Sequence, residues 1–188
     1  FPICGGLRDG RAMTMGGREV KLARHGFARK QEWKLEEQGD SMVALSLSSA
    51  DHAELLEQYP YPFKIVARYT IDAAKVAVSY EVTNEGTEDM PFFVGGHPGF
   101  KCPLDEGESY DDYELRFEQR EATELCTAVP STGLIDVEHR SKNPMIGQNL
   151  PLTHELFDFA ETIFDVLESR VVTLTKKTED KGVRLTFP

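Results

Sequence analysis

Phe63-Lys64-Ile65-Val66-Ala67-Arg68-Tyr69-Thr70, followed after Asp72-Ala73-Ala74-Lys75 by Val76-Ala77-Val78-Ser79-Tyr80-Glu81-Val82, is the stretch that decides the fold. Phe63, Ile65, Ala67 and Tyr69 alternate with Lys64, Val66, Arg68 and Thr70. Val76, Val78, Tyr80 and Val82 alternate with Ala77, Ser79 and Glu81. Successive side chains of an extended strand point to opposite faces, so a period of two predicts two strands, each with one face buried. The short connection makes them an antiparallel hairpin, because parallel strands need a crossover of a dozen or more residues.

Outward from this hairpin, strand signals dominate. Residues 12–15 and 18–22 flank Gly16-Gly17, whose paired glycines would supply the positive φ of a tight turn. Trp33 and Leu35, then Met42, Ala44, Leu45 and Leu47, give two runs around Gly39-Asp40. Residues 90–94, 113–117, 122–128, 171–175 and 183–187 read as further strands. Helical signal is scant, with two turns expected over residues 51–58 and one over 154–159. Residues 130–151 are irregular and polar and read as a long surface loop. About a dozen short strands with turns between them imply an all-β sandwich. No internal repeat, linker or low-complexity segment divides the chain, and 188 residues fit one domain, 1–188.

The formal charge of −11, with acidic residues spread along the chain, disfavours nucleic acid or an anionic membrane as partner, since both need clustered Lys and Arg. No apolar run reaches the length of a membrane span. Cys4, Cys102 and Cys126 form no evident disulfide framework, which points to a reducing cytoplasm. No spacing of His and Cys suggests zinc, no acidic loop suggests calcium, and no glycine-rich phosphate loop or serine-nucleophile elbow is present.

Two histidines stand out. His25 lies in Ala23-Arg24-His25-Gly26-Phe27-Ala28-Arg29, straight after a predicted strand. Gly26 removes side-chain bulk beside the imidazole, and the planar fork of Arg29 suits hydroxyl recognition. Taken alone, His25 reads first as a loop histidine capped by local carbonyls. His97 ends Met90-Pro91-Phe92-Phe93-Val94-Gly95-Gly96-His97-Pro98-Gly99-Phe100, an apolar run closed by glycines and a φ-restricting proline. That is a rigid platform ending in a titratable group, and Phe100 could offer an aromatic face to the C–H surface of a sugar. His52, His139 and His154 lack such settings.

Phe1-Pro2-Ile3-Cys4-Gly5, His25-Gly26-Phe27-Ala28-Arg29, Tyr61-Pro62-Phe63 and Gly96-His97-Pro98-Gly99-Phe100 together resemble the aldose 1-epimerase family, in its bacterial, galactose-mutarotase-like branch. The resemblance covers essentially the whole chain. It implies an antiparallel super-sandwich with an open sugar cleft, no metal and no organic cofactor. Mutarotation needs a base for the C1 hydroxyl proton and an acid for the ring oxygen. The resemblance assigns the acid to His97 and a binding and polarising role to His25. It puts the base in a glutamate beyond Pro188. It also leads us to expect an intact fold with further strands before Phe1 and a further segment after Pro188, and a chain of 188 residues too incomplete to turn over at the family's rate.

Relatives carry a sugar-binding arginine after the opening Phe-Pro-x-x-Gly, where this chain has Gly6. Arg8 could substitute if strand alternation kept it on the same face. The second acidic sugar ligand of the family falls at Glu161 or Asp165. The reading is an isomerase interconverting the α and β anomers of an aldohexose, with His97 and His25 catalytic and Arg29, Arg8, Phe100, Glu161 and Asp165 binding substrate. The alternative is a non-catalytic sugar-binding or regulatory module. The partner is a small-molecule sugar.

Overall fold

A computed structural model describes residues 1–158 and 161–188. The described residues form an all-β protein whose strands pair antiparallel throughout. Among the described residues the only helical segments are short 3-10 turns, and no helix is long and apolar enough to cross a membrane. The chain divides into two compact units, Phe1–Gly96 and His97–Pro188.

In the first unit, β1 (Arg11–Met13) and β2 (Glu19–Lys21) form a small hairpin. Only Gly17 of the paired glycines takes a positive φ, so one left-handed residue suffices for this turn. A four-stranded sheet follows in chain order: β3 (Lys34–Gly39), β4 (Met42–Ser48), β5 (Phe63–Asp72) and β6 (Lys75–Asn84). The deciding hairpin is there, in continuous register from Phe63 opposite Asn84 to Asp72 opposite Lys75.

The burial expected for that hairpin holds only for the first part of β5 and fails at Tyr69 and along most of β6. Phe63, Ile65 and Ala67 of β5 are buried, but Val76, Val78 and Tyr80 of β6 are exposed. Alternation fixes which side chains share a face; burial also needs a layer on top of that face. The aromatic core of Phe27, Tyr59, Tyr61 and Phe63 stops short of the far end of the hairpin, reaching β6 only at Val82. The two turns expected over residues 51–58 shrink to a 3-10 turn, Ala53–Glu57. The strand expected at residues 90–94 is absent, and an irregular segment takes its place. Tyr59 Oη donates to the Pro91 carbonyl at 2.8 Å and the Phe93 amide donates to the Pro2 carbonyl at 2.8 Å. Pro91 has no N–H for a ladder, so the segment is pinned at single points instead.

In the second unit, β7 (Tyr113–Phe117), β10 (Asn149–Pro151), β11 (Val171–Lys176) and β12 (Gly182–Thr186) make a sheet in the order β10-β7-β11-β12. Beside it in sequence, β8 (Leu125–Val129) pairs with β9 (Leu134–Ser141) through a register shift between Leu125 and Thr127. Residues 130–151 are therefore not the long loop expected, since they carry β9 and β10. Ile135 and Val137 of β9 are exposed, so the strand is held by its ladder rather than by a buried face. The turn expected over residues 154–159 is a 3-10 turn, His154–Phe157, and Phe159 lies outside the described residues.

Candidate functional site

Hydrophobic anchoring places His25. Phe27 and Ala28 are buried, with the Phe27 ring stacked 5.8 Å from that of Phe63 and Trp33 Nε1 donating to the Ala28 carbonyl at 2.9 Å. The chain just before them turns through two left-handed residues, His25 at φ +66° and Gly26 at φ +69°. That conformation costs a non-glycine residue about 1–2 kcal/mol and persists only where the surroundings enforce it.

The enforcing contacts come from the opening segment. The Phe1 carbonyl accepts from the amides of Phe27 and Ala28 at 3.1 and 3.2 Å. A Cβ on Gly26 would stand 2.3 Å from that same carbonyl oxygen, so no side chain fits. Gly5 then holds His25 twice. Its carbonyl accepts the His25 amide at 2.7 Å, and its amide donates to His25 Nδ1 at 3.1 Å. A ring nitrogen that accepts a hydrogen bond carries no proton, so the neutral imidazole is protonated at Nε2. His25 is thereby suited to donate to an oxygen, which polarises it, rather than to accept a proton at that atom.

Sequence reasoning did not single out Gly5 as a site residue. Its signal was present in the Phe-Pro-x-x-Gly segment, but a contact with the imidazole twenty positions on has no local signature. The loop histidine is indeed capped by backbone, though by an N–H and not by a carbonyl.

His97 opens the second unit and is exposed in an irregular segment. Two residues earlier, Gly95 lies where a Cβ would meet Cys4 Sγ at 3.5 Å. Phe100 is also exposed. Arg29 sits in a 3-10 turn, Ala28–Lys30, with Nη2 donating to the Arg24 carbonyl at 3.4 Å. Arg8 begins another 3-10 turn, Arg8–Gly10, so the strand alternation invoked for it does not exist. The glycines and Asp9 of that stretch bend the backbone through positive φ at Gly5, Asp9 and Gly10.

In the second unit, Arg140 grips Asp165 with two parallel bonds of 2.9 and 2.7 Å and also donates to the Glu124 carbonyl at 2.8 Å. The Arg140 guanidinium holds the Asp165 carboxyl well below the usual carboxylate range. Arg140 was invisible as a partner in the sequence, because it lies in the stretch read as a loop. Glu161 is exposed and engaged by a neighbouring group. The described residues contain no group of three His, Cys, Asp or Glu close enough to hold a metal ion.

Against known proteins, a family model describing aldose 1-epimerase matches residues 7–188. The chain is 38% identical to the plasmid-borne and the chromosomal LacX proteins of Lactococcus lactis subsp. lactis. All of this chain is covered in those matches, but it spans 64% of each relative's length. A galactose mutarotase related enzyme from Lactobacillus acidophilus superposes with a TM-score of 0.81 at 26% identity, over 98% of this chain and 60% of that one. A galactose mutarotase-like protein from Lactobacillus casei gives 0.76 at 24% identity, over 98% and 62%.

Proposed function

Because the chain belongs to the aldose 1-epimerase family, we propose that it serves the interconversion of the α and β anomers of an aldohexose by acid/base ring opening. His25, through Nε2–H, binds and polarises the sugar. His97 gives a proton to the ring oxygen as the C1–O5 bond breaks. A base takes the proton of the C1 hydroxyl, leaving a free aldehyde. Rotation about C1–C2 and reversal of both transfers close the other anomer. In this proposal the base is a glutamate outside residues 1–188, as the resemblance implies.

The observation that supports the reading is the double hold of Gly5 on His25, which commits its neutral ring to donation from Nε2. Arg29, on the same loop, and Phe100, three residues after His97, take supporting roles at the sugar hydroxyls and C–H face. Glu161 or Asp165 is the acidic ligand, and Asp165 would have to share its carboxylate with Arg140.

Gly6 favours a second reading, a sugar-binding module without turnover. The arginine expected there is missing, and Arg8 stands in a turn rather than on a strand face. Exchange NMR at the anomeric proton across a panel of aldohexoses separates the two. With protein that includes the glutamate base, faster anomeric exchange that His97→Ala abolishes supports the isomerase. Sugar-induced shifts in the protein spectrum without faster exchange support the module and overturn the isomerase.

A further inference from the structure

Within the first unit, one buried side chain touches both the loop of His25 and the segment that leads into His97. Tyr59 is 2% exposed, and its ring centroid lies 6.3 Å from that of Phe1 and 6.4 Å from that of Phe27. Those two residues are joined by backbone beside His25, where the Phe27 amide donates to the Phe1 carbonyl at 3.1 Å. The ring therefore packs against both sides of the contact that holds the loop in place.

The hydroxyl of Tyr59 serves the other segment. Residues 91–96 form an irregular stem that leads into His97, fixed by point contacts and not by a ladder. Tyr59 Oη donates to the Pro91 carbonyl at 2.8 Å, and two residues on the Phe93 amide donates to the Pro2 carbonyl at 2.8 Å. Between them, the Phe92 ring lies 5.8 Å from the Phe1 ring. Tyr59 is itself tied down, its amide donating to the Leu55 carbonyl at 2.9 Å. Burial pushes the pKa of its phenol up, so the donor keeps its proton.

We propose that Tyr59 is a positioning residue for the acid, its ring bracing the loop of His25 while its hydroxyl fixes the stem of His97. The proposal rests on the reading of His97 as the proton donor to the ring oxygen. Tyr61 supplies the comparison. It is equally buried, at 2% exposure, and its ring lies 5.1 Å from that of Tyr59. Its hydroxyl, however, shares a hydrogen bond of 2.7 Å with Thr14, in the turn between β1 and β2 and not on the stem.

Tyr59→Phe and Tyr61→Phe each keep the ring, so the core stays filled, and each removes one hydroxyl. On protein that turns over, Tyr59→Phe should lower kcat roughly tenfold with KM within about twofold, because a small misplacement of the acid costs rate and not grip. NMR amide exchange on the same protein should show the Phe93 amide exchanging about tenfold faster as the stem loosens. Tyr61→Phe should move neither readout. An unchanged Phe93 amide in Tyr59→Phe overturns the proposal, and so does faster exchange with kcat unchanged. Equal effects of the two variants overturn it too, since core stability and not the hold on the stem would then decide. A parent protein without turnover overturns the acid/base reading instead, and with it the role of Tyr59 in placing an acid; the exchange comparison then decides whether Tyr59 holds the stem.

Discussion

Gly5 and His25 hold each other by two hydrogen bonds, the His25 amide to the Gly5 carbonyl at 2.7 Å and the Gly5 amide to His25 Nδ1 at 3.1 Å. The pair ties an imidazole side chain to backbone, and backbone is the least adjustable partner a ring can have. The imidazole tautomer is thus set by the fold and not by a bound ligand. In long-range proton–nitrogen NMR at a pH where the ring is neutral, His25 should give the Nε2–H pattern. A dominant Nδ1–H pattern would contradict the contact.

The same loop makes Gly26 irreplaceable. Gly26→Ala adds a Cβ 2.3 Å from the Phe1 carbonyl oxygen at φ +69°. Backbone cannot swing aside as a flexible side chain can, so strain and displacement together should cost about 3 kcal/mol or more. Gly17 is the control, with φ +78° but no atom within 4 Å of an added Cβ. Gly17→Ala should lose only about 1 kcal/mol, the left-handed penalty itself. Equal losses in chemical denaturation would show that packing of Phe1 against Gly26 is not what decides.

What the sequence disclosed, and what it did not, follows from this division between local and distant causes. The β5–β6 hairpin was readable because alternation and a tight turn are local. Its open face was not, because exposure depends on what lies above the sheet. Strand β9 was missed because Leu134, Asp136, Glu138 and Arg140 leave too little apolar signal, although the ladder to β8 holds without a buried face. Residues 90–94 were apolar enough to read as a strand, yet Pro91 and the point contacts to Tyr59 and Pro2 keep them out of any sheet. At the candidate site, the glycine-flanked histidines were visible as motifs. Their partners were not: Gly5 is twenty positions from His25, and Arg140 is twenty-five from Asp165.

Acid should loosen the second unit. Burial alone would raise the Glu121 carboxyl, but the amides of Glu168 and Ser169, at 2.9 and 2.8 Å, outweigh it and hold the group below its ordinary value. Asp165 is depressed in the same direction by Arg140. A carboxyl whose folded pKa is lowered stabilises the fold fully above its unfolded value, and that stabilisation is lost as pH falls through the folded one. The urea midpoint should therefore be flat near neutrality and fall as pH drops below the ordinary carboxylate range. Glu121→Gln, which keeps one acceptor and sets an amide N–H against another, should cost about 2 kcal/mol at pH 7 and progressively less in acid. A pH-independent loss would place the effect in packing instead.

The two histidines should fail differently when replaced. His97 is exposed in an irregular segment, so His97→Ala should leave the unfolding free energy within about 0.5 kcal/mol of the parent. If it supplies the proton to the ring oxygen, kcat should fall by about two to four orders of magnitude with KM little changed. His25→Ala removes the acceptor of the Gly5 amide while keeping a Cβ at the same left-handed position, so it should cost about 1 kcal/mol of stability. Its kinetic mark should be a raised KM along with a lower kcat/KM, as expected for a group that grips the sugar in both ground and transition states. Steady-state polarimetry on protein that turns over, read beside a urea melt of each variant, distinguishes these patterns. Were His25→Ala to lose only kcat and His97→Ala only affinity, the two roles would have to be exchanged.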